Sequence, residues 1–226
     1  MPHVLDNPAW SSLLGVHAEF AEGTGHARRY RPDVSPIVAV DDAADPQAWA
    51  DLADLVGPGA QVVLPGADRP GAGWTEVARF AGVQMVATDR FVDAPDPEAV
   101  TLGADDVTDM LAIVDRNQPG PFAPQTYRLG TYLGIRRGRT LVAMAGERQH
   151  PVGYTEISAV CTDAEHRGQG LAARLVRAVA AGIRGRGEVP FLHASAENVG
   201  AIRLYEALGF AWRRDITFLV VRAPGA

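Results

Sequence analysis

Residues 154–173 read YTEISAVCTDAEHRGQGLAA, and the change of pattern inside this stretch decides the fold. Tyr154 to Thr162 alternates as a strand and ends at Asp163. Gly170 to Arg184 has helical spacing, with Leu171, Leu175, Val179 and Ile183 on one face, so that stripe is expected to pack on a sheet. Between them lies Arg167-Gly168-Gln169-Gly170-Leu171-Ala172, a glycine-bearing turn at a helix start, where backbone N–H groups lack partners and the helix dipole is positive. Such a turn suits phosphate. Glycine at 168 and 170 removes Cβ atoms that would hold a pyrophosphate off those donors, and Arg167 adds positive charge at the loop mouth. The plainer alternative is a tight loop that simply needs glycine. Rossmann folds and P-loops use the same physics, but their longer fingerprints are missing: Ala173 stands where G-x-G-x-x-G requires its last glycine, and no G-K-[ST] follows.

Working outward, Val189 to Ala194 reads as a strand and Asn198 to Leu208 as a helix, with Gly209 at the stop position that favours a left-handed residue. Thr217 to Val221 closes the chain as a strand. Upstream, Asp105-Asp106 opens a helix carrying Val107, Met110, Leu111 and Val114, and the loop NQPGPFAP (117–124) follows. Tyr132 to Ile135 and Thr140 to Ala145 read as a hairpin about the turn 136–139. The first ninety residues carry weaker patterns: helix signals at Asp45 to Val56, where Asp45 caps and Pro46 enters the first turn, and at Trp74 to Phe80, with one short strand at Gln61 to Leu64. The acidic, proline-bearing segment VDAPDPE (92–98) marks a boundary. It divides the chain into an N-terminal lobe, 1–95, and a catalytic domain, 96–226, with the first a candidate degenerate copy of the second.

Arg167, Gly170 and Ala172 fit R-x-x-G-x-A, and Asn198, Ala201, Tyr205, Gly209 and Phe210 fit N-x-x-A-x-x-x-Y-x-x-x-G-F. With both halves at this separation, residues 99–220 resemble the GNAT superfamily of acyl-CoA N-acyltransferases. DNPAW (6–10) and HARRYRPDV (26–34) look like the N-terminal lobe of a bacterial branch whose C-terminal half is similar to glycine N-acyltransferases. The resemblance implies an α+β GNAT fold, a mixed and mostly antiparallel sheet flanked by helices, with a less standard N-terminal lobe. It implies that the strand ending at Thr162 splays away from Phe191 to Ala194 and that the exposed backbone of Val160, Cys161 and Thr162 holds acetyl-CoA as a surrogate strand. Arg167, Gly168, Gln169, Gly170, Leu171 and Ala172 would carry its pyrophosphate, Asn198 would reach the pantetheine amides, and Tyr205 the sulfur. The implied reaction is direct acetyl transfer from acetyl-CoA to an amine of a small molecule or peptide. A transferase for a longer acyl-CoA, or an acyl-CoA sensor without activity, would keep the same motifs.

Several of these residues also have a structural reading. Asn198 at a helix start is an N-cap, a cofactor contact, or both. Tyr205 shares a helix face with Ile202 and Leu208 and is either a core aromatic or the proton donor to the departing thiolate. Glu156 interrupts an apolar strand, where a buried carboxylate is costly without a task or a partner. It is either the general base for the acceptor amine or half of a salt bridge to an arginine of the neighbouring hairpin. Cys161 has no sequence neighbour to activate it and is expected to be a small buried hydrophobe. Glu147, His150 and His193 are reserve acid/base candidates. Arg174 and Arg177 are either a solvated helix face or contacts to the ribose phosphate. The loop Gln118 to Gln125, with Phe122, is expected to shape the acceptor pocket together with the N-terminal half.

Composition narrows the rest. A single cysteine in 226 residues permits no internal disulfide or cysteine cluster, and the six histidines show no ligand spacing, so no metal is expected. A net charge of −6 without a Lys/Arg block argues against nucleic acid and anionic membranes and tilts toward a cationic small-molecule or peptide amine. No apolar run reaches bilayer length, and MPHVLDNPAW lacks the blocks of a signal peptide. The expectation is a cytoplasmic monomer or homodimer that keeps off membranes.

Overall fold

A computed structural model describes residues 3–225. The chain opens with helix α1 (Pro8–Leu14), started by Asn7, whose side chain accepts a hydrogen bond from the Trp10 amide. Three short strands, β1 (Ala21–Glu22), β2 (Ala27–Tyr30) and β3 (Val38–Val40), form a small antiparallel sheet. Helix α2 (Pro46–Val56) follows, capped as its sequence requires: the Asp45 carboxylate accepts from the Gln47 amide, and Pro46 occupies the first turn, where no N–H is needed. Then come β4 (Gln61–Pro65), β5 (Thr75–Ala87), β6 (Val100–Leu102), α3 (Val107–Asn117) and the hairpin β7 (Tyr132–Arg137) to β8 (Thr140–Glu147). The chain ends β9 (Tyr154–Thr162), α4 (Leu171–Gly185), β10 (Val189–Ser195), α5 (Val199–Leu208), β11 (Phe210–Arg222).

Eight strands make one sheet in the order β4-β11-β5-β10-β9-β8-β7-β6. Only β9 and β10 run parallel, which they achieve because α4 carries the chain back between them. The fold is therefore α+β with a mixed, mostly antiparallel sheet. The apolar stripe of α4 (Leu171, Leu175, Val179, Ile183) and Tyr205 and Leu208 of α5 share one core with Val83, Met85 and Ile157 of the sheet. On the other face, α3 covers β8 and β9 with Met110 and Ile113. The N-terminal segment covers the strands next to these: Gln84 Nε2 of β5 donates to the Leu5 carbonyl at 2.9 Å, and Arg213 of β11 donates to Asp6 at 2.6 Å.

Two expectations for the first ninety residues change. Trp74 to Phe80 is not a helix: Thr75 begins β5, a thirteen-residue strand. Its twelve-partner ladder to β11, with Phe80 opposite Phe218, supplies far more than a weak local helix signal can. The same region holds five strands where the sequence marks one. Because β5 lies between β10 and β11, the main sheet runs continuously across residue 95. Among the described residues, no helix is long and apolar enough to cross a membrane, and no group of His, Cys, Asp or Glu is placed to hold a metal ion.

Candidate active site

The β9–β10 ladder stops early. Pairing runs from Val189↔Tyr154 to Leu192↔Ile157, although β9 continues to Thr162 and β10 to Ser195. The divergence has a local cause in β9. Against β8, partners move from Met144↔Cys161 to Gly146↔Ser158, so β9 holds one extra residue, and Ala159 adopts a left-handed φ of 53°. A bulge of this kind bends a strand and breaks its pairing. A non-glycine residue in that conformation is strained, and here the strain lies at the mouth of a slot.

The slot opens into a cavity of about 1060 Å³. Its floor on one side is the turn after β9. Gly168 and Gly170 have φ of 76° and 74°, and a Cβ at either would meet nothing within 4 Å, so the turn needs glycine for its backbone and its surface faces open space. No side chain caps α4, and Leu171, Ala172 and Ala173 of its first turn line the cavity. Arg167 also lines it, with its guanidinium donating to the Thr162 carbonyl at 3.1 Å and to Asn117 Oδ1 at 3.1 Å. Asp163 accepts from Arg116 and Asn117 at 2.8 and 2.7 Å, so the turn is pinned to the end of α3. Two buried polar atoms on the wall, Thr162 Oγ1 and His166 Nδ1, have no hydrogen-bond partner. Orphan amides, glycines facing space and unsatisfied polar atoms together fit a phosphate-bearing ligand with polar atoms along its length.

Of the residues singled out from sequence, Val160, Cys161, Thr162, Arg167, Gly168, Gly170, Leu171, Ala172, Asn198 and Tyr205 all lie on this one cavity. Gln169 is not on its wall. Asn198 caps α5, accepting from the Ala201 amide at 3.0 Å, and borders the cavity as well. Tyr205 is buried in the α4–α5 core, edge-on to Phe210. Burial, with the neighbouring Cys161, pushes its phenol up to about 12, so it holds its proton at neutral pH. Burial, then Asp163, pushes the Cys161 thiol up to about 12 as well, which leaves no thiolate for nucleophilic attack.

Glu156, a general-base candidate, has the geometry of its other reading, the salt bridge to an arginine beside the neighbouring hairpin. It is fully buried, lies off the cavity wall, and receives Arg148 at 2.9 and 2.6 Å and His193 Nδ1 at 2.8 Å. Burial alone would raise its carboxyl, but the Arg148 charge and the His193 hydrogen bond outweigh it and hold it down at about 2. So low a value makes a weak proton acceptor. His193 does line the cavity, and its other nitrogen receives Gln84 Nε2 at 3.0 Å; Gln84 cannot turn around, because Arg213 donates to its oxygen. The result is a polar chain, Arg148–Glu156–His193–Gln84–Arg213, running across four strands beneath the N-terminal segment.

The reserve candidates separate. Glu147 takes Arg186 at 3.0 Å, and His150 lies 3.5 Å from Glu147, both away from the cavity. Arg174 is claimed by Asp96 (2.6 and 2.8 Å) and Glu98 (2.7 Å), while Arg177 is exposed. Phe122 turns inward onto Tyr132 instead of shaping the pocket; Gln118 to Pro121 of its loop do line it. Sequence reading missed Arg148, Ser158 and the apolar wall of Ile37, Val63, Phe80, Phe218 and Val220. Strand alternation marks Val63, Phe218 and Val220 only as apolar and Phe80 reads as the end of a helix, with nothing to say what they face.

Residues 132–219 match the family model described as FR47-like protein. A solved structure from Novosphingobium aromaticivorans, described as belonging to the GNAT family, is 40% identical over 100% of both chains, with a TM-score of 0.90. A GCN5-related N-acetyltransferase from Kribbella flavida shares the fold at 21% identity and a TM-score of 0.65, over 96% of this chain and 95% of that one. Mycothiol acetyltransferase of Thermobispora bispora is 37% identical over 93 residues, which are 40% of this chain and 30% of that protein's length.

Proposed function

We infer the reaction from one premise: the chain belongs to the GNAT family of acetyltransferases. It transfers the acetyl group of acetyl-CoA directly to an amine. The observation that carries this reading is the convergence of a glycine turn at an uncapped helix, a diverging strand pair and a buried protonated tyrosine on a single cavity. When bound, acetyl-CoA supplies a thioester whose carbonyl is open to attack by a neutral amine. Gly168, Gly170 and the first amides of α4 hold the phosphates, with Arg167 keeping the turn against β9. The backbone of Val160, Cys161 and Thr162 on the diverging side of β9, apart from the Thr162 carbonyl that Arg167 engages, binds the amide-bearing arm and places an N–H donor where negative charge develops. Tyr205 Oη holds the proton that the leaving sulfur needs.

The slot lets the two partners approach from opposite faces of the sheet. Tyr205 and Leu171 lie on the side of α4 and α5. His193, Gln84, Phe80 and Phe218 share the other face, as their places in the ladders and strand alternation require. Residues from the first half (Ile37, Val63, Phe80) close that side and shape the acceptor pocket. Covalent catalysis has no support, because Cys161 keeps its proton. The test is thiol release from acetyl-CoA across a panel of amines, with propionyl- and succinyl-CoA in parallel. Amine-dependent release with acetyl-CoA preferred is expected; release with no amine that stimulates it would exclude the transferase reading, and faster release from a longer acyl-CoA would reassign the donor.

A further inference from the structure

The chain's acidity does not reach its cavity. Of 27 Asp and Glu residues in the sequence, none lies on the cavity wall among the described residues. Nearby carboxylates are spent elsewhere: Asp96 and Glu98 on Arg174, Asp6 on Arg213, Glu156 on Arg148. The charged or titratable groups that do face the cavity are Arg148 and Arg167, His166 and His193, Cys161 and Tyr205. None of them is an anion that a cation would seek. The tilt toward a cationic acceptor, read from net charge, is therefore not expressed at the site.

The part of the acceptor side built by β4, β5 and β11 is apolar, with His193 and the Glu156-paired Arg148 as the polar groups beside it. Val63 faces Val220 across the β4–β11 ladder and Phe80 faces Phe218 across β5–β11, with Ile37 bridged to Val63. Strands β4, β5 and β11 contribute no titratable group to this wall. Phe80 remains 57% exposed, a large apolar surface for which a ligand offers cover. An ammonium group brought here loses water and gains no counter-ion, which is costly. The same desolvation favours the neutral form of the reacting amine; Arg148 at the wall is matched by Glu156 and offers an ammonium no negative charge. The pocket thus does by exclusion what a carboxylate base would do by proton transfer.

We propose that the acceptor is a monoamine on an uncharged, apolar body, taken up as the free base, and that Ile37, Val63, Phe80, Phe218 and Val220 select it. This rests on the acetyl transfer inferred above. The extra proton of the ammonium ion stays in bulk water. The amine nitrogen then forms a bond to the acetyl carbon while the carbon–sulfur bond breaks. Nitrogen gives one proton to water, Tyr205 gives one to the departing sulfur and regains it from water, so amide and free coenzyme A thiol balance amine and thioester.

The experiment compares hexylamine with diaminohexane on the full chain at saturating acetyl-CoA and equal free-base concentration. The expected kcat/KM is roughly 10²-fold higher for hexylamine. Referred to total amine, the logarithm of kcat/KM should climb with a slope of about one from near neutral pH toward the amine's own pKa of about 10, and referred to free base it should stay flat. Phe80→Asp, at an exposed position that tolerates change, should narrow the gap between the two amines by roughly tenfold. Equal or better use of diaminohexane, or a total-amine pH profile that levels off near neutrality, would overturn the proposal. A second measurement is independent of turnover: calorimetric binding of N-hexylacetamide and N-(6-aminohexyl)acetamide to the protein with coenzyme A. Tighter binding of the first is expected. If neither amine is acetylated but that preference holds, acetyl transfer fails while the pocket's selectivity stands; equal binding of the two amides sinks the selectivity itself.

Discussion

Tyr205→Phe is expected to lower turnover by roughly 10² to 10⁴-fold, the range typical of a lost general acid, with little change in fold or acetyl-CoA affinity. The ring is what packs: it lies in the α4–α5 core, edge-on to Phe210 at 6.0 Å between centroids. The hydroxyl is what reacts. Raised to about 12 by burial, it stays protonated across the working range and is available when the sulfur departs. A thiol with an ordinary pKa near 8.5 leaves poorly as a bare anion in a dry slot, so removing the donor acts on the transition state and leaves binding alone. Rapid-mixing turnover on the best acceptor, with acetyl-CoA affinity measured alongside, is the check. If the variant turns over within about threefold of wild type with chemistry rate-limiting, Tyr205 is a packing residue.

Glu156→Gln should cost stability before it costs chemistry. The wild-type carboxylate answers a nearly buried Arg148 and orients His193, and removing its charge leaves the guanidinium unmatched in the core. Breaking one partner of such a pair costs about 3–5 kcal/mol, which urea denaturation will read directly. Replacing both partners, Glu156→Leu with Arg148→Met, should recover much of that loss because no lone charge remains. The pH sign follows from the depressed carboxyl. Glu156 contributes fully above about 4.5 and its contribution is lost as pH falls from there toward about 2, so the wild-type stability should drop in that window more steeply than the double variant's. A general base predicts another pattern: unchanged stability with turnover down 10²-fold or more.

The sequence around 154–185 carried most of the fold because each signal there is local. Strand alternation, two glycines at left-handed positions and an amphipathic helix lie within about thirty residues, and the structure has β9, the turn and α4 where they are expected. Asn198 and Gly209 bracket α5 for equally local reasons, a side-chain cap and a left-handed stop at φ 103°. What stayed hidden depends on distant partners. Whether Trp74 to Phe80 becomes strand or helix is decided by β11, some 140 residues later, and nothing within that segment announces it. Glu156 is a salt-bridge residue because Arg148 follows β8 and folds back over it, and Arg174 is unavailable to a ligand because Asp96 and Glu98 sit above it. The acceptor wall is the clearest case. Val63, Phe218 and Val220 read as plain strand residues and Phe80 as the end of a helix, and only the sheet order β4-β11-β5 brings them side by side.

The most direct measurement of the cofactor site is titration calorimetry of acetyl-CoA into wild-type protein and Gly170→Asp. Position 170 has a left-handed φ of 74°, which strains aspartate by about 1–2 kcal/mol, but its Cβ would meet no atom within 4 Å, so the variant is expected to fold with somewhat lower stability. The added carboxylate would then stand among the amides that hold the pyrophosphate. One acetyl-CoA per chain is expected to bind the wild type, since Gly57-Pro58-Gly59 and Gly71-Ala72-Gly73 in the first half do not open an amphipathic helix after a strand. Binding to folded Gly170→Asp should weaken by roughly 10²-fold or more. Equal affinity in the folded variant, or two acetyl-CoA molecules per wild-type chain, would contradict a single site at the β9–α4 turn.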